Sequence, residues 1–383
     1  MKYRCNTLMK ILMILSKEFT VDLRVFKEAE SLVEAGHKVT VLMWDRKGEH
    51  ETESTVEGIK VIRMRNTSFM KILPNDLFRN PFWWRNAYKK GLKLFKNGFN
   101  FDVVHCHDLD TLKIGIWLKK KLKVKLVYDA HEIFGYMIEK DVPNFIVKFV
   151  FNMEKKLIQY VDEIITVNKP VESYLKKIVD KSITIVMNCK NPLYNKYKPP
   201  KNKVFTISFI GTFEKGRFFP EIVDLIGNVE KIKFIIAGKK EHFKLYKIVE
   251  KTSAKYDNIE FLGQIPFNHV LPLTFKTDVV IYPIDSSTRN SKIITPNKLF
   301  EAMACGRPLI CSKKTHAGYL TEKLQCGIAA DSSLDSIKKA VLTLRDNPEL
   351  CRKFGENGLK AAIREYNWDK QKEKLIELYK KLS

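Results

Sequence analysis

Thr295 to Gly306 reads TPNKLFEAMACG: a proline and a lysine stand ahead of a helical run that carries one acidic residue, Glu301, and closes at Gly306. The unpaired N–H groups and positive dipole end of such a helix attract anions, and a carboxylate one turn in can accept hydrogen bonds from ribose hydroxyls. One element would then read both the phosphate and the sugar end of a nucleotide. The plain alternative is an amphipathic helix with Leu299, Phe300 and Met303 packed on a sheet and Glu301 in solvent. The flanks decide between them. DVVIYP (Asp278 to Pro283) precedes the helix and RPLIC (Arg307 to Cys311) follows it, both β-rich and apolar. The helix therefore belongs to a βαβ unit, and its N-terminus faces the carboxyl ends of strands, where such folds bind ligands.

Working outward, the first half alternates short β-rich runs with helical patterns: Leu8–Leu15, Lys38–Met43, Ile59–Met64, Phe101–Cys106, Val124–Tyr128, Glu163–Val167 and Ile183–Met187. That alternation predicts a doubly wound parallel sheet. The stretch Asp22–Ala35 predicts a helix capped by Asp22, with Leu23, Phe26, Ala29, Leu32 and Val33 on one face and Gly36 as its stop. Between Asn188 and Lys203, Pro192, Pro199 and Pro200 interrupt regular structure and lysines keep the chain solvated, as expected of a linker. A second series follows: Val204–Ile210, Lys233–Ala237, Ile259–Leu262, Val279–Tyr282, Leu309–Cys311 and Gly327–Ala329.

A chain of 383 residues with 45% hydrophobic content suits two α/β domains. Its net charge of +24 favours anionic partners such as nucleotide sugars, acidic lipids or nucleic acid, without choosing among them. The seven cysteines (Cys5, Cys106, Cys189, Cys305, Cys311, Cys326, Cys351) form no C-x-x-C pair, which fits a reducing compartment. The apolar run Leu8–Leu15 is short, contains Lys10 and lacks a cleavage site, so the expected location is cytoplasmic, possible membrane contact being peripheral. Two segments suit such contact with an anionic surface: Phe69–Phe99, where Phe78, Phe82, Trp83 and Trp84 lie among basic residues, and Phe145–Tyr160. Both read equally well as core with a basic outer face.

Polar residues gather where strands end. In HCHDLD (His105–Asp110) the two histidines share one side of an extended chain and Asp108 and Asp110 form a D-x-D pair, an arrangement open to a metal ion. A helix cap is the simpler use of either aspartate, and no further ligand cluster follows in sequence. YDAHEIF (Tyr128–Phe134) sets Asp129, His131 and Glu132 at the next strand end. IGTFEKGR (Ile210–Arg217) is a glycine turn with two basic residues, Lys215 and Arg217, either of which suits a diphosphate.

Taken in order along nearly the whole chain, Asp22–Val39, HCHDLDTL, YDAHEIF, the proline-rich segment and TPNKLFEAMACGRPLI resemble the family 4 glycosyltransferases, retaining enzymes of the GT-B fold. The resemblance implies two Rossmann-like doubly wound domains facing a cleft: an acceptor-binding domain over 1–190, a linker over 191–203, a nucleotide-sugar-binding domain over 204–366, and a last helix, 367–383, crossing back to the first domain. It implies that His131 reaches the donor sugar and that Arg217 or Lys215 acts beside it on the diphosphate. Gly211, Gly263, Gln264, Ile265, Thr295, Pro296, Asn297, Lys298 and Glu301 would bind the donor, with FLGQI (Phe261–Ile265) cupping the base. His107, Asp108, Asp129 and Glu132 would line the acceptor side.

The expected activity is transfer of a hexosyl unit from a UDP- or GDP-sugar to a glycan or polyprenyl-linked acceptor, in cell-surface polysaccharide or glycoconjugate synthesis. No metal is expected, because cationic side chains and a helix N-terminus replace it. Many members carry a Glu eight residues before the ribose-binding one; here that position is Ile293, which leaves the sugar open. A nucleotide-sugar 2-epimerase of the same fold is the nearest rival. A nucleic-acid-binding protein is suggested by charge alone and lacks a recognisable module.

Overall fold

The computed structural model describes residues 8–19 and 22–382; Cys5 lies outside them. Among the described residues, those up to Met187 cluster with those from Gln371 onward, and Asn188–Lys370 form a second compact unit.

The first unit is built on an eight-stranded sheet. Its strands are β1 (Lys10–Leu15), β2 (Lys38–Asp45), β3 (Glu53–Val56), β4 (Ile59–Arg65), β5 (Val103–His107), β6 (Lys125–Ala130), β7 (Glu163–Thr166) and β8 (Ile183–Ile185), in the order β3-β4-β2-β1-β5-β6-β7-β8. All neighbours pair in parallel except β3, which lies antiparallel on β4 at the edge. The sequence runs did not include β3. ESTV alternates exposed and half-buried positions and has no apolar run to mark it. The inner strands are buried along nearly their whole length because helices cover both faces, so they read as near-continuous apolar runs, as in β1, while β5 (VVHCH) is equally buried but carries two histidines.

The second unit holds β9 (Phe205–Ile210), β10 (Ile232–Ala237), β11 (Ile259–Gly263), β12 (Val279–Tyr282), β13 (Leu309–Ser312) and β14 (Gly327–Ala330), all parallel. Their order, β11-β10-β9-β12-β13-β14, reverses direction between β9 and β12. The first sheet reverses between β1 and β5 in the same way. At such switch points neighbouring crossovers depart to opposite faces and leave a crevice beyond the carboxyl ends of the strands. The candidate residues cluster at these ends.

The packing corrects one reading and adds detail to two others. The helix Leu23–Glu34 is capped by Asp22, whose carboxylate accepts from the Val25 N–H, and the chain leaves it through Gly36 at φ +98°. Its buried face, however, is Arg24, Val25, Glu28, Ala29, Ser31 and Leu32, while Leu23, Phe26 and Val33 are only half-buried. Second, residues 191–203 have no regular structure and their lysines are exposed, while the chain just before them and at single points along them is tied down. Cys189 and Lys190 are buried, the Leu193 N–H donates to Ala304 O, and Arg307 Nη1 donates to Lys198 O. Third, the aromatic segments divide between core and surface: Trp83 is buried and stacks on Trp44 with centroids 5.1 Å apart, whereas Phe69, Ile72, Phe78, Phe82, Phe145 and Phe149 are exposed. Among the described residues no helix is long and apolar enough to cross a membrane.

Candidate active site

In the first unit, strand ends β1, β5 and β6 bring Lys17, His107, Asp108, Asp129, His131 and Glu132 together with the start of the helix Leu23–Glu34. His131 is the centre. Its Nε2 lies 2.8 Å from Asp129 Oδ2 and its Nδ1 3.4 Å from Asp108 Oδ2. Burial opposes charge on the ring, but Asp108 and Asp129 outweigh it and push the pKa up to about 9. At neutral pH the group is an imidazolium held between two carboxylates, with both ring nitrogens as donors.

Asp129 is fully buried and is tied to a residue the sequence reading passed over. Arg24 donates to it through Nε at 3.0 Å and Nη2 at 2.8 Å, a two-point fork, and the same Nη2 lies 3.0 Å from Glu28 Oε1. Arg24 and His131 hold Asp129 well below the usual carboxylate range even though burial raises it. Glu28 goes the other way. Burial lifts it to about 8 against the pull of Arg24, with Asp129 adding repulsion. Arg24 and Glu28 were legible in one respect only: they are charges at i and i+4 within the register that buries Val25, Ala29 and Leu32. His107 and His105 complete the floor. Their rings stack at 4.3 Å, burial lowers both pKa values, and His105 Nδ1 meets Tyr379 Oη at 2.9 Å.

Asp108 occupies the N-cap position of the helix Leu109–Leu122 at φ +63°, but its side chain makes no capping bond. It turns instead to the His131 N–H at 3.3 Å and to Lys17 at 3.6 Å, which corrects the helix-cap reading. Asp110 is pushed up to about 6 by burial and by Asp108. Glu132 is raised for the same two reasons. The residues whose donor atoms do converge, within 4.8 Å, are Glu28, His105, His107 and Asp129, a set that includes neither aspartate of the D-x-D pair. A metal ion there would share both carboxylates with the Arg24 guanidinium, whose charge repels it.

In the second unit, the glycine turn after β9 is tight for a steric reason: a Cβ on Gly238 would lie 2.5 Å from Gly211 O, and one on Gly211 3.1 Å from Tyr282. Arg217 follows on a single 3₁₀ turn, Lys215–Arg217. Its guanidinium donates to Thr212 O at 2.7 Å, pairs with Glu214 at 3.2 Å and lies 5.0 Å from the centroid of the Tyr282 ring. Lys215 is exposed. Of the two basic residues, Arg217 alone is held in one orientation by these contacts. Gly263 takes φ +66° at the end of β11; Gln264 Oε1 lies 3.5 Å from the Lys240 N–H, and Ile265 packs on Ile210, Ala237 and Val270.

The helix Asn297–Ala304 begins after Pro296 with no side-chain cap. Glu301 is buried, so the solvated alternative does not hold, and its Oε2 accepts from Lys298 Nζ one turn earlier. Asn297 Oδ1 accepts from Asn188 Nδ2 at 2.9 Å, and Thr295 Oγ1 lies 2.7 Å from His316 Nδ1. Burial drops His316 to about 4, so that ring is neutral. Lys190 is a further cation here, lowered by burial and supported by Glu301. Neither His316 nor Lys190 carried a sequence signal: His316 opens an ordinary short helix, His316–Lys323, and Lys190 sits in irregular chain.

Residues 23–189 match the model for Glycosyltransferase Family 4 and residues 204–347 that for Glycosyl transferases group 1. An uncharacterized glycosyltransferase of Methanocaldococcus jannaschii is 25% identical over 313 residues, covering 80% of this chain and 82% of its own length. Among solved structures, sucrose-phosphate synthase of Thermosynechococcus elongatus superposes with a TM-score of 0.76 at 15% identity, covering 98% of this chain and 99% of its own. HepE of Anabaena, solved with UDP-glucose, gives 0.72 at 12% identity, covering 97% and 100%. With the two sheet orders, the two sites at their switch points and both family models in register, the chain belongs to the family 4 glycosyltransferases and has the GT-B fold.

Proposed function

We propose that the protein transfers a hexosyl unit, with retention at the anomeric carbon, from a UDP- or GDP-sugar to a glycan or polyprenyl-linked acceptor. The observation that carries this reading is the second-unit helix start, where Pro296 leaves the first turn without a side-chain cap, Lys298 stands in that turn and Glu301 is buried one turn in. The diphosphate would lie on the N–H groups of Thr295, Asn297 and Lys298 with Arg217 beside it, and Glu301 would take the ribose hydroxyls. His131 would donate to a hydroxyl of the donor sugar, its charge favouring the transition state as the leaving diphosphate gains charge. These cations perform the neutralisation that a divalent ion performs elsewhere, so the reaction needs no metal.

Binding of UDP-sugars by solved relatives such as HepE supports the donor class. The exposed Phe69, Ile72, Phe78, Phe145 and Phe149, with Lys71, Arg79 and Lys148 near them in sequence, support work at an anionic membrane surface on a lipid-linked acceptor, from the cytoplasmic side and within cell-surface polysaccharide synthesis. The test is incubation with labelled UDP- and GDP-sugars, with and without a membrane extract, followed by anomeric NMR of the product. Acceptor-dependent consumption with retained configuration supports the reading. Epimerised donor or free sugar formed without acceptor would transfer the assignment to a 2-epimerase, and no consumption of any donor would remove it.

A further inference from the structure

The chemistry assigned above to His131 requires its ring to stay fixed, and ring nitrogens bonded to carboxylates are only as fixed as those carboxylates. Asp129 is the penultimate residue of β6, which fixes its backbone but leaves its side chain its own rotational freedom. What removes that freedom is Arg24: two parallel bonds at 3.0 and 2.8 Å define the carboxylate plane and leave Oδ2 facing His131 Nε2 at 2.8 Å. Arg24 is itself held from two sides, by Val186 O at 2.5 Å and by Glu28 at 3.0 Å. All three side chains are buried, and Arg24 and Glu28 belong to a helix that carries no residue assigned to donor or acceptor.

A chain of contacts therefore runs from Glu28 through Arg24 and Asp129 to His131. We propose that Arg24 and Glu28 are positioning residues for transfer, holding Asp129 so that His131 keeps one orientation. The inference rests on the reading of His131 given above.

A lysine at position 24 keeps the charge but offers a single point of attachment, so it lets the Asp129 carboxylate turn. Charge alone would suffice if the cluster were only a neutralised core. Orientation is the property that separates the two roles.

The experiment compares Arg24→Lys, Glu28→Ala, Glu28→Gln and His131→Ala in the full chain, reading kcat, the KM for whichever nucleotide sugar the wild type consumes, melting temperature, and the ring-nitrogen NMR signals of His131. Arg24→Lys and Glu28→Ala should each lower kcat about tenfold or more while the donor KM stays within about twofold, since their contacts lie in the first unit. Glu28→Gln, which retains an oxygen for Arg24, should recover most of the loss, and the His131 signals should move in the first two variants and return in the third. If Arg24→Lys does not fold, the Glu28 pair decides the matter. Folded Glu28→Ala with wild-type kcat and unmoved His131 signals overturns the proposal, as does an equal loss in Glu28→Ala and Glu28→Gln. The control separates the two claims: wild-type turnover in His131→Ala removes the reading of His131, whereas a collapse there beside full activity in Arg24→Lys and Glu28→Ala removes the positioning proposal alone.

Discussion

At the scale of single residues, two carboxyl-bearing sites lead to different measurements. Glu301 is buried and already paired with Lys298, so its hydrogen-bonding oxygens are in place before a nucleotide arrives. Glu301→Ala should weaken binding of UDP or GDP, whichever the wild type binds, by about 1.5–3 kcal/mol, the range for hydrogen bonds to a charged group. Calorimetry that returns wild-type affinity for a folded variant removes ribose from the role of Glu301. His131 offers a test that needs no substrate. Its pKa rises on folding from 6.5 to about 9, so the stability it contributes is complete below about pH 6.5 and is lost as pH climbs through 9. The full amount is on the order of 3 kcal/mol. Glu28, also raised on folding, contributes with the same sign at somewhat lower pH. Urea denaturation across pH 6 to 9.5 should show falling stability in the wild type and a shallower fall in His131→Gln. Parallel curves would mean that folding does not raise the pKa of the ring.

At the scale of elements, the helix Leu109–Leu122 is set unusually close to its sheet by Gly115. A Cβ at that position would lie 2.4 Å from Cys106 Sγ and 2.6 Å from Leu126 Cδ1, in the interior of β5 and β6. Gly115→Ala should therefore destabilise the first unit by roughly 1–3 kcal/mol, as overpacking does, despite alanine's better helix propensity. A neutral or raised denaturation midpoint would show that the helix can move away at no cost. The strands of both sheets were legible because buried parallel strands are continuous apolar runs bounded by polar loops, and Val279–Tyr282 appears over the same residues in both readings. The edge strand β3 was not, since one exposed face and four residues leave no periodic signal. Motif residues at strand ends were legible for a similar reason: His107, Asp129 and His131 interrupt or follow apolar runs where a sheet has no use for polarity. Arg24 and Glu28 escaped because a charged pair on a helix reads as solvated surface until the partner, more than a hundred residues away in the chain, is known. The boundary of the last helix is another such case, since Trp368 to Lys370 stay with the second unit and only Gln371 onward join the first.

On the scale of the whole molecule, the net charge of +24 and the distribution of cations give one clean discriminator. Neutralisation by Arg217, Lys298 and a helix N-terminus predicts transfer undiminished by EDTA. Loss on chelation and restoration by manganese or magnesium would contradict that mechanism and direct attention to the cluster of Glu28, His105, His107 and Asp129. Liposome flotation tests the surface aromatics in the same way. Binding to anionic vesicles should weaken as salt rises and should fall in Phe145→Ser with Phe149→Ser, and equal recovery with neutral vesicles would argue against an electrostatic contact.

The return of the chain to the first unit from Gln371 onward also sets an order of events during synthesis. Leu375, Ile376, Leu378 and Tyr379 are buried there, and Tyr379 closes the floor beneath His105. Those residues follow the whole of the second unit in the chain, so the first unit cannot complete its core until the second has been synthesised. Until then the apolar surface that Leu375, Ile376, Leu378 and Tyr379 cover stays open. A nascent chain arrested just before Gln371 should accordingly be cut by protease within the first unit while the second resists, and supplying Gln371–Ser383 as a separate peptide should restore resistance.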